Sequence, residues 1–415
     1  MNLAELSLAA LFAAIIASCF TRLNIGVMSI VLAWIVGVYF GHMKVEQVAA
    51  GFPVTLFLTL TGVTLLFSQA QANGTLDRVA HHAVRVCRGN VGMIPVMFFI
   101  VGLGLATMGP GNIASIALIA PLAMATASRA KIPPFLMAIM AGNGANAGAL
   151  SPFAPTGVIA TGLMNRIGLA GYEWQTYAYN VAGHALVAFT GYLVFGGWRL
   201  FRLRYEAAPE DIENIAFERR HCLTLAVIIA LLISVIFGNV NIGMGAFTAA
   251  MILPMLGAAD HTEAIRRMPW GVIVMVTGVT VLISIMEKTQ GIQLFSDLLA
   301  RLATPHSAVA VVAFVVGLIS VYASTSGVIL PTFLPMVPDL VARIGGVSAF
   351  AIASSINVGG HLVDVSPLST IGALCIASAP VSGDSRKLFN QMLAWGLSMS
   401  VVGAGVCYLF FGGRG

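Results

Sequence analysis

Of the 415 residues, 58% are hydrophobic and 9% are charged, and the mean hydropathy is +0.93. This composition excludes a soluble globular domain and describes a polytopic membrane protein. The net charge of +5 is modest and reflects topology rather than a nucleic-acid partner. Five cysteines (Cys19, Cys87, Cys222, Cys375, Cys407) show no CxxC pair and no ligand spacing, so they read as small buried hydrophobes with no disulfide framework or metal site, and no cofactor is expected.

In chain order, apolar runs of spanning length fall at 3–21, 25–42, 52–72, 91–108 and 113–128. The first has Glu5 as its only early charge, so it reads as a membrane helix and not a signal peptide. Residues 75–88 mix charge with apolar positions and predict an amphipathic interfacial helix. The segment 132–165 is uncharged but unlike an ordinary span, because GNGANAGALSPFAPT (142–156) puts two Asn, several Gly and two Pro where Leu and Val are expected. It predicts a helix broken near the midplane, its second half opening at Ser151-Pro152 with Ser as cap and Pro in the first turn. A run at 176–201 and a charged linker at 202–220 follow. Apolar runs then recur at 222–237, 242–256, 270–286, 307–322, 328–343 and 388–411, with an amphipathic stretch at 292–303. A second broken helix, 348–380, carries NVGGHLVDVSPLST (357–370) and a second such step, Ser366-Pro367.

The halves repeat. Asn24-Ile25-Gly26 matches Asn241-Ile242-Gly243 (241 − 24 = 217), TGVTLLFS from Thr61 matches TGVTVLIS from Thr277 (277 − 61 = 216), Pro121 matches Pro335 (335 − 121 = 214), and Ser151 matches Ser366 (366 − 151 = 215). The fold class expected is an all-α polytopic membrane protein of two inverted repeats, 1–201 and 221–415, joined by the linker. Each repeat holds five transmembrane helices, one re-entrant hairpin (91–128, 307–343) and one broken helix. Charge tests the inversion. One face collects 15 of the Lys and Arg and the other 6, and 15 + 6 = 21 is the total. The positive-inside rule makes the richer face, with the linker, cytoplasmic and leaves both termini outside an inner (plasma) membrane. Two ordinary spans in place of each hairpin would scatter the basic residues more evenly.

The hairpins turn at GPGN (109–112), with Asn112 expected as cap of the returning arm, and at Ser324-Thr325-Ser326-Gly327. With Ser151 and Ser366 these give four helix N-termini able to converge as an anion site without Arg or Lys. Substrate candidates are Asn112, Ser151, Thr156, Ser324, Thr325, Ser326, His361, Ser366 and Thr370. Carbonyls at the breaks, with Gly111, Asn112, Asn143, Asn146, Ser324, Ser326 and Asn357, are candidates for a sodium ion. The competing reading is that such small polar residues only let helices pack closely. Asp364 is a coupling candidate or a local partner of His361, and His184 reads as a packed, hydrogen-bonded histidine.

These motifs resemble the ion transporter superfamily, specifically the divalent anion–sodium symporters, with MatC-type malonate and dicarboxylate carriers nearest. In that family each hairpin tip carries Ser-Asn-Thr with a Pro nine residues beyond the Asn. Here Gly111-Asn112-Ile113 and Thr325-Ser326-Gly327 stand at that place, since 121 − 112 = 9 and 335 − 326 = 9. Only Asn112 matches by type. The resemblance implies a homodimer working by an elevator motion, with the first three helices of each repeat as scaffold. The reading is a sodium-coupled carrier of a small dicarboxylate such as malonate or a C4 acid. Proton coupling through His361/Asp364, or transport of another anion, stands as the alternative. A membrane-embedded enzyme is disfavoured because HExxH, GxSxG and a spaced pair of intramembrane carboxylates are all missing from the sequence.

Overall fold

The structure, a computed structural model, describes residues 2–21, 23–85, 89–205, 216–238, 240–321, 323–379 and 385–413. The middle of the linker (206–215), Arg22, Arg88, Tyr322, Pro380 and Arg414 lie outside the described residues.

The first half runs α1 (Leu3–Phe20), α2 (Ile25–Trp34), a π-helical extension (Ile35–Phe40), the short α3 (Val45–Ala49), α4 (Val54–Ala72), α5 (Thr75–Arg85), α6 (Met93–Met108), α7 (Gly111–Arg129), α8 (Pro134–Gly148), α9 (Pro155–Arg166) and α10 (Glu173–Val194). The second runs α11 (Arg219–Gly238), α12 (Ile242–Met255), the short α13 (His261–Arg267), α14 (Trp270–Lys288), α15 (Gly291–Ala300), α16 (Ala308–Ser320), α17 (Leu330–Phe333), α18 (Val337–Ile344), α19 (Ala349–Leu362), α20 (Thr370–Ala377) and α21 (Ser385–Phe411). Among the described residues the only extended pairing is Gly89–Asn90 against Arg204–Tyr205. Among the described residues five helical stretches, including α4, α7 and α14, are long and apolar enough to cross a membrane. Both amphipathic helices form as α5 and α15. The arm expected at 328–343 is irregular: a π turn (Thr325–Ile329), α17, a 3-10 turn (Leu334–Met336) and α18. Pro331, Pro335 and Pro338 each remove a backbone donor, so one α-helical ladder cannot run through.

Two crossings tie the halves together. A Cβ on Gly26 of α2 would lie 2.1 Å from the Val274 carbonyl oxygen of α14, and one on Gly278 2.2 Å from the Gly26 carbonyl oxygen. In the companion crossing, a Cβ on Gly62 of α4 would lie 2.5 Å from the Gly243 carbonyl oxygen of α12. Gly26 and Gly243, like Gly62 and Gly278, are the positions matched between the halves, so α2 on α14 and α12 on α4 are one contact made twice. Asn24 and Asn241 cap their helices alike, accepting from Gly26 N and Gly243 N at 2.9 and 3.0 Å. Polar contacts fasten the helix ends. Arg78 of α5 pairs with Glu218 at 3.2 Å, and Asn73 bonds Thr224 and the Ala258 carbonyl. At the opposite end Lys288 donates to the Gln47 carbonyl, and Arg343 pairs with Asp297.

Candidate functional site

The first hairpin tip is set by Gly109, at φ 135°, where a Cβ would lie 1.9 Å from the Phe67 ring. Pro110, not Asn112, takes the cap position of α7. The tight Gly-Pro turn consumes the residues before the helix, so Asn112 falls within the first turn. Its side chain is thereby free to reach across to α8: Nδ2 donates to Asn146 Oδ1 at 2.8 Å, while Oδ1 accepts from Ile113 N at 3.0 Å. At the second tip Ser324 is the cap, accepting from Gly327 N at 3.2 Å. The neighbouring Thr325 hydroxyl donates to the Asp364 carboxylate, 2.9 Å from each oxygen, and Ser320 lies 3.4 Å from the same carboxylate.

The helix breaks form three residues later than the Ser-Pro steps suggest. α9 starts at Pro155 after Ala154, and α20 starts at Thr370 after Ser369, which accepts from Gly372 N at 3.4 Å. Ser151 and Ser366 lie inside the breaks, fully buried and outside the cavities. Ser151 Oγ donates to the Thr107 carbonyl at 2.8 Å, fastening the break to α6. In the first half Pro155 supplies the Pro of the first turn, and Pro152 belongs to the preceding turn. The backbone of each break folds over a glycine: a Cβ on Gly157 or Gly372 would lie 1.8 or 2.0 Å from the carbonyl oxygen of Ser151 or Ser366.

Two adjoining cavities meet here. A chamber of about 100 Å³ is lined by both tips and the second break: Asn112, Ser324, Thr325, Ser326, His361, Asp364, Ser369 and Thr370, with Ala323, Ile113, Leu368 and Ile371. A vestibule of about 270 Å³ lies between α4 and the first tip and break, with Thr64, Phe67, Ser68 and Gln71 facing Gly111, Asn112, Pro155 and Thr156, and with Arg267 among its lining residues. Asn112, Ile113 and Ser326 line both. The N-terminal turns at Asn112, Ser324 and Thr370 therefore border the chamber, and those at Gly111 and Thr156 border the vestibule.

His361 and Asp364 both line the chamber, but the expected local pair is not formed. His361 Nδ1 bonds the Asn357 carbonyl at 2.7 Å, one turn back, whereas Asp364 accepts from the Thr325 hydroxyl of the second tip and the Ser320 hydroxyl of α16. Helix geometry explains this, since His361 still belongs to α19 and Asp364 has already left it. Asn143, Asn146 and Asn357 stand behind the chamber, fully buried with Asn180 and His184. His184 Nδ1 bonds Asn143 Oδ1 at 2.9 Å, and Asn180 Nδ2 donates to the Asn146 carbonyl at 2.8 Å. In this polar seam Asn146 Nδ2, Asn180 Oδ1, His184 Nε2, Asn357 Oδ1 and His361 Nε2 have no partner among the described residues, the usual sign of internal water or a bound polar group. Sequence reasoning missed Ser68, Gln71, Ser369 and Arg267. The repeated TGVT segment that holds α4 hinted at the first two. Nothing local marked Arg267, which is 155 positions from Asn112 (267 − 112 = 155).

The family described as dicarboxylate carrier protein MatC N-terminus matches residues 1–149. Among solved structures, the crystal structure of the Alcanivorax borkumensis YdaH transporter, reported as having an unusual topology, is similar in fold at 14% identity. The TM-score is 0.61, over 90% of this chain and 88% of that one. No curated protein matches the sequence. Residues 1–149 thus carry the MatC N-terminal pattern, and the chain is similar in fold to the YdaH transporter along most of its length.

Proposed function

We propose that the protein is a secondary active symporter of a small dicarboxylate, such as malonate or a C4 acid, coupled to sodium. The observation that carries this is the meeting of helix N-terminal turns, two from each half, at two joined cavities. Free N–H groups and about half a positive charge per terminus suit a carboxylate, and hydroxyls of Ser324, Thr325, Ser326, Ser369 and Thr370 add neutral donors. The dicarboxylate class follows the family matched by residues 1–149. The chamber size favours a compact acid over anything of drug size.

A coupling cation follows from electrostatics. Asp364 lines the chamber and neither Lys nor Arg does. A dianion beside a carboxylate in a largely dry site is repelled unless a positive charge accompanies it. Sodium among the carbonyl and side-chain oxygens near Asn112, Ser324, Ser326 and Asp364 supplies that charge. A proton on Asp364 is the second reading, favoured by the position of this lone carboxylate.

The glycine crossings and the matched breaks support an inverted repeat, with 91–128 and 307–343 as re-entrant hairpins. In the elevator reading, α2, α4, α12 and α14 belong to the scaffold, while hairpins and broken helices move as one body. The vestibule lies along that boundary. A homodimer in the inner membrane, with the 202–220 linker in the cytoplasm and both termini outside, completes the proposal. Calorimetric titration of the purified protein with malonate and succinate tests it. Binding that tightens as sodium replaces potassium is expected, and failure to bind any dicarboxylate in either salt overturns it.

A further inference from the structure

The vestibule holds a cation that the four helix termini do not need. Arg267, the last residue of α13, is among its lining residues, together with Ser68 and Gln71 of α4 and with Asn112 and Thr156 of the first tip and break. It is half exposed, and its Nε donates to Glu263 Oε1 at 2.7 Å. Its two Nη groups make no further hydrogen bond among the described residues. Burial raises the Asp77 carboxyl above its usual range, and the Arg267 charge partly offsets that, so the guanidinium also acts on α5. The matching place in the other half differs in both charge and space. Gly51 stands where Arg267 does (267 − 51 = 216), and Ser284 and Glu287 stand for Ser68 and Gln71 (284 − 68 = 216; 287 − 71 = 216). There the chain closes up: a Cβ on Gly51 would lie 2.8 Å from Ser284 Cβ. The guanidinium thus belongs to one half alone, and at the matched place in the other half Gly51 packs directly on Ser284.

We propose that Arg267, with Ser68 and Gln71, forms a carboxylate subsite on the scaffold wall of the vestibule, a one-sided docking point from which a dicarboxylate passes to or from the chamber by way of Asn112 and Ser326. The inference rests on the dicarboxylate reading above. A guanidinium with free Nη groups offers a carboxylate a charge-assisted fork. Glu263 holds only Nε, which keeps the fork turned and limits its grip, so cargo leaves again. Because the two walls belong to different bodies in the elevator reading, the subsite is made and lost with the motion, and it favours a second carboxylate that a monocarboxylate lacks.

The test compares uptake of labelled succinate, with lactate as a monocarboxylate control, in right-side-out and inside-out vesicles. In R267Q the succinate KM should rise about tenfold at one membrane face and stay unchanged at the other, the loss of one charge-assisted contact. The maximal rate should be preserved and the preference over lactate should fall at that same face. R267K should restore part of the affinity. Glu263→Gln should lower KM at that face by removing a negative charge that repels the cargo while its amide oxygen still holds Nε, whereas a merely structural ion pair would make both variants worse. An unchanged KM at both faces in R267Q, or an equal rise at both, overturns the subsite alone. Absence of dicarboxylate uptake by the wild-type protein overturns the carrier reading and this proposal with it.

Discussion

Asn112 is the residue through which the two cavities and the buried polar seam communicate. It borders chamber and vestibule and donates to Asn146 behind them. Asn112→Ala removes that donor and leaves Asn146 Oδ1 without it, a loss of about 1–3 kcal/mol for a buried polar group. The expected outcome is at least tenfold slower uptake at wild-type membrane abundance, read by transport and immunoblot together. In the proposed reading Asp364 separates the two coupling ions. If sodium couples, Asp364→Asn keeps sodium-driven uptake at fixed pH but requires more sodium. If a proton couples, the same variant loses all response to pH. Asn112 was legible as a tip residue because Gly-Pro punctuation precedes it. Its bond to Asn146 and that of Thr325 to Asp364 were not, since they join residues 34 and 39 positions apart.

At the scale of the element, each broken helix is fixed by backbone lying on a glycine. Gly157→Ala and Gly372→Ala place a methyl group within 2.0 Å of a carbonyl oxygen, so the break must open. Overpacking of this kind costs about 1–3 kcal/mol. Each variant should melt several degrees lower in detergent, and an unchanged melting temperature would show that the breaks are looser than their geometry implies. The breaks themselves were readable from Gly, Asn and Pro in otherwise uncharged runs. Their start positions were not, because two prolines compete in the first half and two serines in the second. The irregular course of 325–344 follows from proline spacing that periodicity ignores.

At the scale of the whole molecule, α2 on α14 and α12 on α4 bind the halves through matched glycines. The repeat offset near 215 made the correspondence of these helices legible but not their packing across the halves, and Arg267 had no match to draw attention to it. The 15-to-6 division of basic residues gives the topology a direct check. A cysteine placed at Glu213 should react with an impermeant thiol reagent only after cells are opened, and labelling of intact cells would reverse the orientation. The central claim is sodium-driven transport of a dicarboxylate. It is tested most directly by uptake of labelled malonate and succinate into proteoliposomes of the purified protein, with sodium and pH gradients imposed separately. Accumulation that follows the inward sodium gradient at equal pH is the predicted result. Accumulation of neither acid under either gradient, or uptake that ignores sodium and follows pH alone, would contradict it.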